Sequence, residues 1–305
     1  MIQSVVLMRH GRTAFNLARR MQGCIDVPLD IVGHWQVDQS AYVLAQRYYW
    51  AKVSQISDVE RGDAASTLSA FMSPTVPRDY ESPNEGRDET LAELGRDVAQ
   101  QYRQAPAAHR YMQVYSSDLL RAQQTAHAFA DILGLDVQTD TRLRERDFGQ
   151  WEGMTRAEIA EKFPEAYESW RRHEGGEEAY GVESRHAVGE RGARAICSLV
   201  AHANATHADL DGTLFIVSHG SWINATVQTL IGIDVDDLSI LSGMRNAFWT
   251  TLTPPEGTDP QPGKWILESY DEGPALAQVM DWDNGPEMLR TSDMPQWTEI
   301  NGPKA

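Results

Sequence analysis

The chain has 305 residues, of which 41% are hydrophobic and 23% charged, a composition that supports one large globular domain or two small ones. Its formal net charge of −17 at neutral pH excludes nucleic acid and anionic membrane as the main partner, because both demand a basic face. No apolar run approaches the roughly 18 residues of a membrane span, and Met1-Ile2-Gln3 leads into an apolar run with no basic leader, so the expectation is a soluble, cytoplasmic protein.

The first element is the run Val5-Val6-Leu7-Met8, whose β-branched apolar residues predict a strand buried on both faces, of the kind found in parallel sheets. It ends in Arg9-His10-Gly11-Arg12-Thr13, and Thr13 to Leu17 can open a helix. Met21 to Pro28 reads as a loop, and Trp35 to Trp50 has helical spacing with Ala41, Leu44, Ala45 and Tyr48 on one face. From Ser54 to Asp88 the composition turns to Ser, Asp, Gly and Pro, a long excursion of the kind that forms lids or binding loops. Leu91 to Tyr102 resumes as helix.

Tyr111 to Tyr115 is a short strand, and Ser117-Asp118 is placed to cap a helix from Leu119 to Leu133 that stops at Gly134. Leu143 to Gly149 follows as a strand-to-loop segment, and Thr155 with Glu158 forms a capping box. An amphipathic helix lies within Val182 to Ala205. A second apolar run, Leu214-Phe215-Ile216-Val217, then ends in Ser218-His219-Gly220 and a helix over Trp222 to Ile231, with Phe248 to Leu252 a further strand. The last fifty or so residues have no clear pattern.

The two histidines carry the functional inference. Both stand at the carboxyl ends of predicted parallel strands, the edge at which open α/β sheets bind ligands. His10 is flanked by Arg9 and Arg12, and neighbouring cations favour the neutral imidazole, which is the nucleophilic form. A lone histidine at a strand end reads as structural, but Arg121 and Glu145 are predicted at the same edge. The pattern suits attack on a phosphoryl group.

These segments together resemble the histidine phosphatase superfamily, branch 1, also called phosphoglycerate mutase-like. Leu7-Met8-Arg9-His10-Gly11-Arg12-Thr13 is similar to its signature, with Arg12 where Glu is frequent. Gln22-Gly23-Cys24-Ile25-Asp26-Val27-Pro28-Leu29 resembles its Q-G-x-x-D-x-P-L segment, and Tyr115-Ser116-Ser117-Asp118-Leu119-Leu120-Arg121-Ala122 its second arginine motif. Arg142 to Glu145, with Phe148 to Gly153, resembles the acid-bearing segment, and Ser218-His219-Gly220 the second histidine motif. The resemblance implies a three-layer α/β/α architecture with a mostly parallel sheet, and the chain over residues 1–305 reads as a single domain of this kind. The matched motifs cover residues 1–29 and about 91–252; the chain departs from the family pattern at about 30–90, read as an inserted helical cap region with a solvent-exposed decoration as the alternative, and in an irregular tail at about 254–305.

It also implies roles. His10 would become a phosphohistidine, Arg9, Arg121 and His219 would hold the phosphoryl oxygens, and Glu145 would protonate the leaving oxygen and then deprotonate water. Asn16, Gln22, Gly23 and Gly220 join Arg9, Arg121 and His219 as expected phosphate contacts. No metal or cofactor is required. Arg12 and Arg144 read as peripheral, though either could meet a second anionic group. The substrate class is a small phosphate ester. Two alternatives stay open: a mutase working through the same phosphohistidine, and a non-catalytic phospholigand-binding domain. Cys24 and Cys197 show no metal-ligand spacing and fit a reduced setting, with a single disulfide left open. Oligomeric state is not readable. Trp50, Tyr80, Trp282 and Trp297 suit either a stacking surface or core.

Overall fold

The computed structural model describes residues 1–45, 47, 110–206, 211–237 and 239–289. The predicted excursion from Ser54 to Asp88, the helix from Leu91 to Tyr102, Trp50, Tyr80 and Trp297 lie outside the described residues.

Among the described residues, six strands form one mixed sheet in the order β3-β2-β4-β1-β5-β6. Strands β1 (Ile2–Arg9), β2 (Arg110–Ser116), β3 (Val137–Thr139) and β4 (Asp211–Ser218) are parallel, while β5 (Trp249–Thr253) and β6 (Ile266–Glu272) add two antiparallel strands beyond β1. The apolar runs Val5–Met8 and Leu214–Val217 are fully or nearly fully buried, as expected of central strands with a helix layer on each face.

Two helix pairs supply those layers. Helix α2 (Ile31–Ala45) packs on α3 (Leu120–Ala130), and α6 (Arg185–Thr206) on α7 (Gly220–Ile231). The short helix α1 (Ala14–Leu17) precedes both pairs in the chain, and α4 (Arg156–Lys162) and α5 (Pro164–Arg171) lie between them. The Thr155/Glu158 capping box opens α4 as its sequence predicts. Phe148, Trp151, Ile159, Phe163, Ala166 and Val182 form a second, smaller core under α4 and α5.

Several boundaries differ from those predicted. Helix α2 starts at Ile31 rather than Trp35, where Asp30 accepts the Gly33 amide through Oδ1 at 2.7 Å, and its buried residues belong to the main core. Residues 31–45, the start of the segment read as an insertion, are thus core helix. The α3 amino terminus is capped from elsewhere: Leu120 N–H donates to Asp26 Oδ1 at 2.7 Å, while Asp118 is drawn off to Arg144. The tail contributes more order than its sequence suggested, because β6 extends the sheet and Trp282 is buried against Trp35 and Phe248. Among the described residues no helix is long and apolar enough to cross a membrane.

Candidate active site

Strand register brings the motifs together. Arg9 pairs with Ser218, and Ser116 with Val217, so the residues that follow these strands emerge side by side at one sheet edge. The His10 amide donates to the Ser218 carbonyl at 3.0 Å, and the Gly11 amide to Thr125 Oγ1 on α3 at 3.1 Å. A side chain at Gly33 would place its Cβ 2.0 Å from the Arg12 carbonyl oxygen, so that glycine lets α2 seat directly under the His10 loop.

The His10 ring is 3% exposed and its Nδ1 lies 2.7 Å from the Gly11 carbonyl oxygen. A carbonyl only accepts, so Nδ1 carries the proton and, in the neutral ring, Nε2 keeps a free lone pair. Burial holds the imidazole well below the ordinary histidine pKa, and Arg121 and then Arg9 push it further in the same direction. His219 is fully buried with its ring centroid 5.1 Å from that of His10. Burial, followed by Arg121, lowers its pKa in the same way.

The two arginines are held by main-chain carbonyls. Arg121 Nη1 donates to Ile25 O and Nη2 to Gly23 O, each at 2.8 Å. Burial lowers its pKa to about 10, which leaves it charged at neutral pH. Arg9 donates through Nη1 to the Met244 carbonyl, and burial lowers its pKa as well. Among the described residues Arg9 Nε, Arg121 Nε and both ring nitrogens of His219 are buried without a hydrogen-bond partner. Buried polar atoms are normally satisfied, and the two arginine Nε–H groups, with the one N–H that a neutral His219 ring carries, mark a place for an anion beside His10.

Glu145 faces this cluster from the other side. Its Oε1 accepts from the amides of Trp222 at 2.9 Å and Arg146 at 2.8 Å, and Oε2 from Ser221 at 3.2 Å. The carboxylate therefore sits at the amino terminus of α7, where the helix dipole favours negative charge. Its loop is fixed by Arg191 of α6, which donates to the carbonyls of Arg142, Arg144 and Glu145.

A cavity of about 350 Å³ opens over these groups, lined by Arg9, His10, Asn16, Gln22, Gly23, Arg121 and Glu145, and further out by Arg19, Arg20, Met21, Phe148, Arg156 and Ser221. Asn16 accepts from Thr13 N and Asn246 Nδ2 through Oδ1, which leaves its NH₂ group for the cavity. Gln22 Oε1 accepts from the Thr13 hydroxyl at 2.9 Å. Two of the residues singled out from the sequence are set back from the wall. His219 stands against His10, and Gly220 packs behind Arg9, where a Cβ would lie 3.2 Å from Arg9 Nε.

Arg12 turns away from the cavity to pair with Asp30 at 2.8 Å and to donate to the Asp283 carbonyl, and Arg144 pairs with Asp118. Cys24 is half-buried and burial raises its thiol pKa. Four contributors went unnoticed in the sequence. Asn246 donates to the His10 carbonyl at 3.0 Å, Arg191 clamps the acid-bearing loop, and Arg20 and Arg156 line the cavity mouth. Their spacing carries no signal, because each is brought in by tertiary contacts.

The family model for the histidine phosphatase superfamily (branch 1) matches residues 5–73 and 80–265, and the chain belongs to that family. Among its relatives, glucosyl-3-phosphoglycerate phosphatase of Mycolicibacterium vanbaalenii is 34% identical over 284 residues, spanning 91% of this chain and 97% of that protein. Glucosyl-3-phosphoglycerate phosphatase of Mycobacterium tuberculosis is 34% identical over 283 residues, spanning 90% and 96%. The native structure of a mycobacterial glucosyl-3-phosphoglycerate phosphatase superposes with a TM-score of 0.57 at 26% identity, covering 89% of this chain and 99% of that one.

Proposed function

We propose that this chain is a phosphomonoesterase that works through a phosphohistidine on His10. One observation carries the reading: a neutral imidazole with its Nε2 lone pair free, set among buried arginine and histidine nitrogens that lack partners. Nε2 attacks phosphorus as the bond from phosphorus to the ester oxygen breaks, and Glu145 delivers a proton to the departing oxygen. Water then attacks the phosphohistidine, gives a proton to Glu145, and inorganic phosphate leaves with Nε2 restored. Arg9, Arg121 and His219 stabilise the charge on the transferred group, where positioning and electrostatics supply most of the acceleration.

The substrate is a small phosphorylated metabolite, and glucosyl-3-phosphoglycerate is the first to try, supported by two relatives named for it that align over about nine-tenths of this chain. We place the reaction in the cytoplasm, a setting supported by Cys24 and Cys197 both being free thiols. The test is a panel of phosphate esters, including glucosyl-3-phosphoglycerate, phosphoserine and 3-phosphoglycerate, assayed with and without chelator. Release of inorganic phosphate that survives chelation is expected. Isomerisation of a phosphoglycerate without release would instead identify a mutase.

A further inference from the structure

The mouth of the cavity carries more positive charge than a phosphoryl group uses. Among the described residues its wall holds five arginines, Arg9, Arg19, Arg20, Arg121 and Arg156, against one carboxylate, Glu145, on a chain whose net charge is −17. Arg9 and Arg121 flank His10 and match the charge of a phosphate dianion. Arg19, Arg20 and Arg156 stand in addition to them, further out.

Their convergence is built into the fold. The segment after α1 is zipped to the segment before α4: Arg20 bridges Thr155, Met21 N–H donates to Met154 O at 2.9 Å, and Gly153 N–H to Met21 O at 2.8 Å. Arg20 and Arg156 therefore arrive at one edge from chain positions more than a hundred residues apart. The neighbouring acids Glu152 and Asp26, among the described residues, are committed elsewhere. Glu152 accepts from the Cys24 and Phe148 amides, and Asp26 from Leu120. Glu158 pairs with Arg20 at 3.0 Å, which neutralises part of that cation. Arg156 has no ion pair among the described residues, and its guanidinium lies over the Trp170 ring at 5.6 Å, a contact that orients the planar fork while leaving its charge unmatched.

We infer that this rim is a second anion subsite, with Arg156 as its main contact, for a carboxylate carried by the substrate beside its phosphate. One unmatched cation fits a monoanion, and the planar guanidinium fits the geometry of a carboxylate. The exposed position of Arg156 makes the rim a selector of substrates rather than part of the chemistry at phosphorus. The inference rests on the phosphatase reading above and assigns the specificity of that same site.

A matched pair of ligands tests it. 3-Phosphoglycerate and glycerol 3-phosphate differ by a carboxylate in place of a hydroxymethyl group, and both are measured as inhibitors of p-nitrophenyl phosphate hydrolysis by the full chain. The expected result is a Ki for 3-phosphoglycerate about tenfold lower than for glycerol 3-phosphate, as a charge-assisted contact provides. In Arg156→Met the two values converge, and in Arg156→Lys most of the gap returns. Equal Ki values in the unmutated protein, or a gap that Arg156→Met leaves intact, would overturn the subsite. Because p-nitrophenyl phosphate has no carboxylate, the phosphatase reading is judged separately in the same assay: no hydrolysis, or hydrolysis that His10→Ala leaves unchanged, removes that reading and the subsite with it.

Discussion

Arg191→Met isolates the role of the clamp behind Glu145, the proposed general acid. Arg191 donates at 2.8 Å to Arg142 O, at 2.9 Å to Arg144 O and at 3.3 Å to Glu145 O, and pairs with Glu183 at 2.9 Å. Its side chain is 24% exposed, so water recovers part of what the substitution removes, and the expected loss of stability is about 1–3 kcal/mol. The Glu145 carboxylate keeps its amide contacts on α7, but the main chain beneath it loses its anchor. Loss of the acid altogether, as in Glu145→Gln, is expected to cost about 10²–10⁴ in rate. Imperfect placement of a group still present should cost about tenfold, equivalent to roughly 1.4 kcal/mol in the barrier. The assay is kcat/KM, which reports the steps up to phosphoryl transfer, for an alkyl phosphate that must be protonated as it leaves and for p-nitrophenyl phosphate, which leaves without help. The alkyl ester should lose about tenfold and the aryl ester less than about twofold. An equal fall on both esters would refute the reasoning, because it would mean that Arg191 supports the fold or the phosphate site rather than the acid.

Stability should depend on pH through the two buried histidines. His10 and His219 both titrate well below the ordinary value of 6.5 in the folded chain, so the unfolded chain binds protons that the folded one refuses. Their contribution is therefore complete above about pH 6.5 and is lost as pH falls below it, with a slope of up to about 1.4 kcal/mol per pH unit for each group. Urea unfolding at a series of pH values should give that slope, and His10→Asn/His219→Asn should flatten it; a slope unchanged in the double variant contradicts the burial argument. Gly23 has φ of +52° and a Cβ there would fall 1.8 Å from Glu152 Oε1. Gly23→Ala should lower stability by about 1–3 kcal/mol and raise KM by loosening the carbonyl that seats Arg121. Unchanged Tm and KM would show that the loop adapts without strain.

How far the sequence reached depends on the range of the interactions involved. The apolar runs before His10 and Ser218 made both strands legible, since burial on two faces leaves a continuous hydrophobic signature, and strand ends in a parallel sheet fix where the next residues go. Glu145 and Arg121 were legible because short motifs surround them. The Asp26 cap on α3 was not, because Ser117-Asp118 satisfies the local capping pattern while the actual acceptor comes from a loop about ninety residues earlier. Strand β6 was hidden for a different reason: as an edge strand it is only half-buried, with Ile266 58% exposed, and so it lacks a continuous apolar run. Arg191 and Arg156 sit on helices whose spacing speaks only of which face is buried. Their partners are carbonyl groups, the Glu183 carboxylate and an aromatic ring, and no local spacing in the chain announces these contacts.

The central claim is that phosphate passes through nitrogen on His10. Rapid quenching of the protein with substrate under alkaline conditions, where a phosphoramidate survives, followed by peptide mass spectrometry, reads this directly. A phosphoryl adduct on His10 that forms within one turnover and is absent from His10→Ala is the predicted result. Turnover with no adduct, or an adduct on another residue that His10→Ala retains, would contradict it.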